Sequence, residues 1–431
     1  MAVDTQLLAD LQQRGLIAQV SDLDALNQRL QQPTALYCGF DPTAPSLHIG
    51  SLVPILMLRR FQLAGHQPIA LVGGSTGLIG DPSFKAEERK LIDTTTLQSW
   101  VAKLKGQLEQ FLDFDGESPA IMTNNYDWTA PISSLEFLRD FGKYFSVNAM
   151  MRREAVKTRL EREDQGISYT EFSYVILQAL DFYYLHKLHN CELQLGGSDQ
   201  WGNIVAGMDL IRKKSNQTAY CLTTPLITQA DGTKFGKTEK GTIWLSADKT
   251  SPFSFYQFWL RVLDTDIYRF LRYFTFLSCD KIAEIERADS TCSGAPEGSQ
   301  ILAREVTKLV HGSQALEAAT RISHNIFKGD IKALQQSDWQ QLQLDGIPST
   351  PIAPQKLDGQ SLTSLLTESQ VVKSGKQAKD ALNANSITIN QTVVKPSQNM
   401  QLPQIFAQQT AFFGRYWLVR VGKKKVHLFY S

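Results

Sequence analysis

The stretch from Thr34 to Gly73 constrains the fold more than any other part of the chain. Residues 34–41 (Thr-Ala-Leu-Tyr-Cys-Gly-Phe-Asp) are an apolar run of strand length ending at a turn. From Gly50 to Ala64 the pattern predicts a helix, stopped by Gly65. Pro54 falls in its first turn, where the missing N–H needs no partner. Residues 68–73 read as a second strand, followed by Gly74-Ser75-Thr76-Gly77-Leu78-Ile79-Gly80-Asp81-Pro82. Strand, helix and strand joined by short glycine-rich turns predict a parallel α/β sheet. The glycine spacing is not the dinucleotide fingerprint, so a nicotinamide cofactor is not expected.

At 431 residues the chain is long enough for two to three domains. Ser133 to Lys187 is mostly helical in pattern, with a charged stretch from Arg152 to Asp164, and residues 193–197 return to strand. Ser251-Pro252 opens a helical section, rich in aromatics up to Phe276, that runs to about Phe327. Pro348, Pro351 and Pro354 amid polar residues predict a linker. Beyond it the pattern gives two short helices, the second capped by Ser374. Strands follow around 386–394 and 416–430, with Gly422-Lys423 turning the last hairpin. Residues 361–431 hold nine Lys/Arg against Glu368 and Asp380, while the whole chain is only +1. A basic terminal module on a mildly acidic body fits a nucleic-acid grip, or a merely solvated surface. The five cysteines (Cys38, Cys191, Cys221, Cys279, Cys292) are scattered, which points to a reducing compartment and not to a disulfide scaffold or zinc site. Residues 1–20 read as an amphipathic helix and no apolar run approaches a membrane span. A cytoplasmic protein without a membrane partner is expected.

Three segments carry chemistry. Pro45-Ser46-Leu47-His48-Ile49-Gly50 follows a strand and opens a helix, where backbone N–H groups and the helix dipole favour anions. Lys234-Phe235-Gly236-Lys237-Thr238 places two ammonium groups on a glycine-containing loop. Between them, Gly196-Gly197 lets backbone approach a sugar beside Ser198-Asp199-Gln200. Separately these read as a cap, an exposed basic loop and a tight turn. Together they read as a grip on a nucleoside triphosphate, suited to activation at an α-phosphate. In the helix from Thr170 to Leu185, Tyr174, Gln178 and Asp181 share one face of an otherwise apolar element. A buried polar stripe must find partners or cost about 1–3 kcal/mol per unpaired group. Either neighbouring backbone satisfies it, or it lines a pocket for a small zwitterion carrying a phenol, with Tyr37 joining Asp181.

In this order and spacing the segments resemble those of bacterial-type tyrosyl-tRNA synthetases, which are class I aminoacyl-tRNA synthetases. His48-Ile49-Gly50 resembles the first class signature and Lys234 to Thr238 the second. Leu195 to Asn203, Leu71 to Pro82 and Asn124-Asn125-Tyr126-Asp127-Trp128 also match. The resemblance implies a Rossmann-like catalytic domain over 1–248 with a helical dimerisation insert at about 130–170. It further implies an α-helical anticodon-binding domain at 249–328, a linker at 329–358 and an S4-like α+β RNA-binding domain at 359–431.

It implies that Tyr37 and Asp181 hold the substrate phenol, that Asp81, Tyr174 and Gln178 receive its ammonium group, and that Gln200 lies near its carboxylate. Cys38, Gly197 and Asp199 would contact the ribose, with Gly39, Asp41 and Gly50 completing the ATP pocket. Thr43 and His48 would bind the γ-phosphate side, and Lys85, Arg89, Lys234 and Lys237 the leaving pyrophosphate, accompanied by Mg²⁺. No protein-held metal is implied. Ser51 replaces a second histidine of the first signature, and Pro54 cannot donate the hydrogen bond that a hydroxyl residue makes there in some members. The implied partners are L-tyrosine, ATP, tRNA(Tyr) and a second copy of the chain, with Phe141, Phe145 and Tyr169 as interface candidates. Lys373, Lys376, Lys379, Lys423, Lys424 and Lys425 would grip RNA phosphates, and Arg212 and Lys213 would reach the acceptor or variable arm. The rivals are a tryptophanyl enzyme of similar fold and a non-catalytic RNA-binding protein.

Overall fold

A computed structural model describes residues 3–82, 92–153, 156–157, 160, 166–229, 232, 235–238, 241–291, 294–327, 329–353, 357–422 and 425–431. The chain forms two compact units: residues 1–246 with 263–302, and residues 247–262 with 303–431.

The first unit is built on a six-stranded sheet of β1 (Gln19–Val20), β2 (Ala35–Phe40), β3 (Gln67–Val72), β4 (Ile121–Asn124), β5 (Cys191–Gly197) and β6 (Tyr220–Thr224). Its order is β1-β6-β5-β2-β3-β4, parallel except for β1 against β6. The chain leaves β2 toward β3 on one side and returns to β5 on the other. That reversal opens a crevice at the carboxyl ends of β2 and β5. The central strands are buried on both faces, which explains the nearly unbroken apolar runs Leu36-Tyr37-Cys38 and Ile69-Ala70-Leu71-Val72.

The helix after β2 runs Leu52–Leu63 behind a short 3₁₀ turn, Ile49–Ser51. It ends at Gly65, whose φ is +88°. The Tyr169–His189 helix starts at Ser168, whose side chain accepts from the Glu171 N–H, and stops at left-handed Asn190. Both lie close to the sequence expectation.

The helical section expected at 249–328 is divided between the units. Residues 263–302 belong to the first, because Ile267, Phe270, Leu271 and Phe274 are fully buried there. Residues 247–262 and 303–327 belong to the second.

In the second unit a five-stranded sheet has β9 (Ser349–Pro351), β10 (Ile387–Ile389), β11 (Thr392–Val393), β12 (Tyr416–Val421) and β13 (Lys425–Tyr430) in the order β11-β10-β12-β13-β9. Strands β7 (Lys237–Thr238) and β8 (Gly241–Thr242) form a separate small hairpin in the first unit. Helices Leu362–Glu368 and Gly375–Asn383 pack on the larger sheet over a core that includes Leu366, Phe406, Trp417 and Phe429.

The expected linker at 329–358 is structured over most of its length. Trp339 is wholly buried, stacked 5.0 Å from Phe412 and 5.7 Å from Tyr416, and β9 pairs parallel with β13. Proline lacks a ladder donor and is tolerated at an edge, which is where β9 lies. A polar, proline-bearing stretch can therefore be a sheet margin, a state that composition does not distinguish from a connector.

Candidate active site

The crevice between β2 and β5 is a cavity of about 600 Å³. The segments that line it are Tyr37–Asp41, Thr43, Ser46–Ser51, Gln194–Gly197 and Asp199–Gln200. Asp81, Tyr174, Gln178, Asp181, Ile227, Thr228, Phe235 and Gly236 also line it, as does Pro54. Sequence-predicted residues from five separate segments thus meet in one place. A more open concavity of about 880 Å³ lies in the second unit, beside Ser349–Ala353 and His427, and none of the sequence-predicted site residues lines it.

At the closed end, Asp181 is 2% exposed and accepts from Trp128 Nε1 at 2.9 Å and Asn125 Nδ2 at 3.0 Å. Burial nevertheless dominates and pushes its carboxyl up to about 8. The phenol of Tyr37 is also buried, and its oxygen has no hydrogen-bond partner among the described residues. Its pKa is driven well above 10, first by burial and then by the nearby Asp181. Gln178 Oε1 and Gln194 Oε1 are likewise buried without partners. Polar atoms orphaned in this way await a ligand or water.

The middle of the cavity holds a connected polar network. Tyr174 donates to Asp41 Oδ2 at 2.7 Å and Thr76 Oγ1 donates to Asp41 Oδ1 at 2.6 Å. Asn125 Nδ2 donates to Thr76 Oγ1 at 2.9 Å as well as to Asp181, so the two carboxyl groups are joined through one amide and one hydroxyl. A Cβ on Gly73 would lie 1.9 Å from Asp41 Oδ1, so only glycine lets that carboxylate sit against the turn. Asp81 accepts from Gln200 Nε2 at 2.6 Å. Cys38 is buried and its thiol is pushed up to about 12, chiefly by burial, which makes it an inert wall and not a nucleophile.

At the mouth, Thr43, His48 and Gly50 are exposed. His48 Nδ1 accepts from the Gly50 N–H at 3.0 Å. In a neutral ring this leaves the proton on Nε2, a donor. The residues after the lysine loop return beside this turn. Ile49 N–H bonds Ile243 O at 3.0 Å and Leu245 N–H bonds Leu47 O at 2.9 Å. Gly236 has φ +86°, and a Cβ there would meet Ile49 Cγ2 at 2.2 Å. The glycine between the two lysines is therefore required by conformation and by close approach. Lys85, Arg89, Lys234, Lys423 and Lys424 lie outside the described residues, and Lys237 is described in its backbone alone.

Other predicted positions are not among the residues that line the cavity. Lys373, Lys376 and Lys379 are exposed on or beside helix Gly375–Asn383, and Lys425 begins β13. Lys213 donates to Tyr144 O at 3.2 Å and Arg212 to Asp209 at 3.1 Å. Phe141 does not offer an interface: it is 6% exposed, with Tyr183 and Tyr184 5.9 and 6.2 Å away. Phe145 is partly buried and Tyr169 is exposed. Sequence reasoning gave no role to Asn125, Trp128, Thr76 or Gln194. The signal was their presence in matched segments: Thr76 within Leu71 to Pro82, and Asn125 and Trp128 within Asn-Asn-Tyr-Asp-Trp at the end of β4, while Gln194 lay just outside Leu195 to Asn203.

A parallel sheet with an anion-favouring turn at its switch point, and a buried polar end below it, fits the class I synthetase architecture. The family profile for tRNA synthetases class I (W and Y) matches residues 28–328, and that for a tyrosine–tRNA ligase SYY-like C-terminal domain matches residues 338–429. The chain belongs to this class I family, on its tyrosine branch. It is 54% identical to the tyrosine–tRNA ligase of Chromobacterium violaceum and 53% identical to that of Salmonella enteritidis PT4, each over 97% of both chains. A C-terminally truncated mitochondrial tyrosyl-tRNA synthetase of Aspergillus nidulans superposes with a TM-score of 0.68 at 30% identity. That match covers 74% of this chain and 94% of that one. The tryptophanyl-tRNA synthetase of Plasmodium falciparum shares the fold at 15% identity and a TM-score of 0.52, covering 77% and 87%. No described helix is long and apolar enough to cross a membrane.

Proposed function

We infer that the chain is a tyrosine–tRNA ligase. It activates L-tyrosine with ATP to tyrosyl-adenylate and pyrophosphate, then transfers the tyrosyl group to the 3′ end of tRNA(Tyr). The observation that carries this reading is the closed end of the cavity. A buried carboxyl and a buried, unpartnered phenol oxygen lie together there, beneath a mouth lined by Thr43, His48 and Gly50.

The substrate phenol sits between Tyr37 and Asp181, its ammonium group near Asp81, Tyr174 and Gln178, and its carboxylate near Gln200. The ribose lies along Cys38, Gly197 and Asp199, beside Gly39 and Asp41. The carboxylate attacks the α-phosphorus in line. It is already ionised, so no general base is needed. Rate comes from positioning and from donors placed where negative charge grows. Thr43 and His48 Nε2 face that charge at the mouth, and Lys85, Arg89, Lys234 and Lys237 neutralise the departing pyrophosphate. Mg²⁺ enters as part of the nucleotide substrate, on its phosphate oxygens.

Phenylalanine would leave the Tyr37 hydroxyl buried without a partner, at a cost of about 1–3 kcal/mol, and would give Asp181 nothing beyond Trp128 and Asn125. Lys373, Lys376, Lys379, Lys423, Lys424 and Lys425 position tRNA through its phosphates. Residues 1–248 serve as catalytic domain, 249–328 as anticodon-binding helices and 359–431 as the S4-like RNA-binding module. Leu135, Leu138, Val147, Met151 and Tyr169 are exposed apolar residues of the 130–170 insert, and they support a homodimer joined through that face. The protein works in the cytoplasm.

Tyrosine-dependent ATP–pyrophosphate exchange tests the reading. Exchange with tyrosine, and not with tryptophan, is the expected outcome; absence of both would leave an RNA-binding protein on a synthetase scaffold.

A further inference from the structure

Thr228 and Phe235, which flank Lys234 in the sequence, both line the cavity, and both stand against one helix, Ile267–Phe274. At the first end, Arg269 donates to the Thr228 carbonyl at 2.7 Å and to Asp266 Oδ1 at 2.5 Å. Asp266 is buried, so its carboxylate fixes the direction of the guanidinium. At the second end, the Phe235 ring lies 4.4 Å from Phe270 and 6.0 Å from Phe274, and Phe235 N–H bonds Ile227 O at 3.2 Å. The bond to Ile227 closes the base of the loop, while Arg269 and the two phenylalanines moor that base.

The helix is itself held at its far end. Arg60 donates to Thr275 O at 2.5 Å and to Arg272 O at 3.4 Å, and Arg14 also reaches Arg272 O at 3.4 Å. Both arginines are buried, and cationic donors at a helix C-terminus are favourably placed against its dipole.

We infer that Arg269 is a positioning residue for adenylate formation: through the Thr228 carbonyl it fixes the base from which the chain runs to Lys234 and on to Lys237. The inference rests on the ligase reading above. Arg269 touches no substrate. Its effect falls on the step in which pyrophosphate departs, and leaves the tyrosine end of the cavity, built from β2, β5 and helix Tyr169–His189, unchanged. Both bonds leave the same nitrogen, Nη2, which the planar guanidinium holds in a fixed direction, whereas an ammonium on a flexible stem is less constrained.

The experiment uses the full-length protein with Arg269→Met, Arg269→Lys and, as a control on the same helix, Arg272→Met, which removes only a partly exposed pair with Glu286. Tyrosine-dependent pyrophosphate exchange, equilibrium tyrosine binding and thermal unfolding are measured for each. Arg269→Met should lower exchange kcat by about 10- to 100-fold, the scale of a displacement near 1 Å. Tyrosine affinity should stay within about twofold, the signature of an interaction made only in the transition state. Arg269→Lys should recover part of the loss, and Arg272→Met should retain wild-type kcat. Unchanged kcat in Arg269→Met, or an equal loss of tyrosine affinity, overturns the inference while leaving the ligase reading intact. If Arg269→Met does not fold, Arg269→Lys decides: full wild-type kcat overturns the inference, whereas reduced kcat with intact tyrosine binding supports it. A wild-type protein without exchange activity removes both.

Discussion

Tyr37→Phe should move stability and substrate binding in opposite directions. The Tyr37 side chain is 1% exposed, and its hydroxyl oxygen has no partner among the described residues. Its ring packs at 5.3 Å from Phe182 in the core beside β2, so the substitution keeps the ring and removes only the oxygen. Leaving a buried hydroxyl unsatisfied costs about 1–3 kcal/mol, so deleting it should stabilise the free protein by up to that amount. In the complex the same oxygen meets the substrate phenol. A neutral hydrogen bond contributes about 0.5–1.5 kcal/mol net, so tyrosine should bind roughly 2- to 12-fold more weakly. Phenylalanine makes no such bond, so discrimination against it should fall by a comparable factor. Urea unfolding with and without saturating tyrosine separates the effects. The variant should have the higher midpoint in the free state and gain less from added tyrosine, in line with ligand linkage. A free variant that is less stable than wild type by 1 kcal/mol or more would refute the reasoning, because the hydroxyl would then have a partner in the empty site. Unchanged tyrosine affinity would refute it from the other side.

Three further outcomes are expected. Gly236→Ala forces a Cβ onto Ile49 at a positive φ, so it should slow single-turnover adenylate formation strongly while equilibrium tyrosine binding persists; normal turnover would show that this contact does not set the loop. The Asp181 carboxyl lies at about 8 in the folded protein against 3.8 ordinarily, so its stabilising contribution is whole below about pH 4 and is lost as pH climbs through 8. Asp181→Asn should therefore flatten the fall in urea midpoint between pH 5 and pH 8.5, and an identical slope in both proteins would count against the raised value. Replacing Lys373, Lys376 and Lys379 by Ala should impair aminoacylation and spare pyrophosphate exchange, with the log–log salt slope of tRNA binding shrinking by roughly 0.7–0.9 per lost contact; an unaltered slope would remove these lysines from the RNA face. Substitution is a cleaner probe than truncation near residue 355, which would strip Trp339 of Phe412 and Tyr416 and leave β9 without β13.

Local order was legible in the residues alone because its causes lie within a few positions. Ser168, Ser251 and Ser374 cap the helices they precede, Gly65 and Gly422 take positive φ where chain direction changes, and the apolar runs of β2, β3 and β5 become buried strands. The stripe Tyr174–Gln178–Asp181 could be read from helical spacing, although two fates for it stayed open. Its fate turned on partners far away in the chain. Trp128 and Asn125 stand 53 and 56 positions from Asp181, and they meet it only because β4 ends on the same side of the sheet as the Tyr169–His189 helix. Tyr37 faces Gln194 only because the chain reverses so that β5 lies against β2. Likewise, nothing within residues 263–275 says that this helix meets the Thr228 carbonyl and the Phe235 ring, and nothing in a proline-rich stretch says that Ser349–Pro351 closes a sheet edge. Strand order and helix docking follow from which surfaces can be buried together over the whole chain, a sum that no short window contains. The sequence determined the parts and the chemical groups they carry, and the tertiary structure decided which of those groups share one cavity.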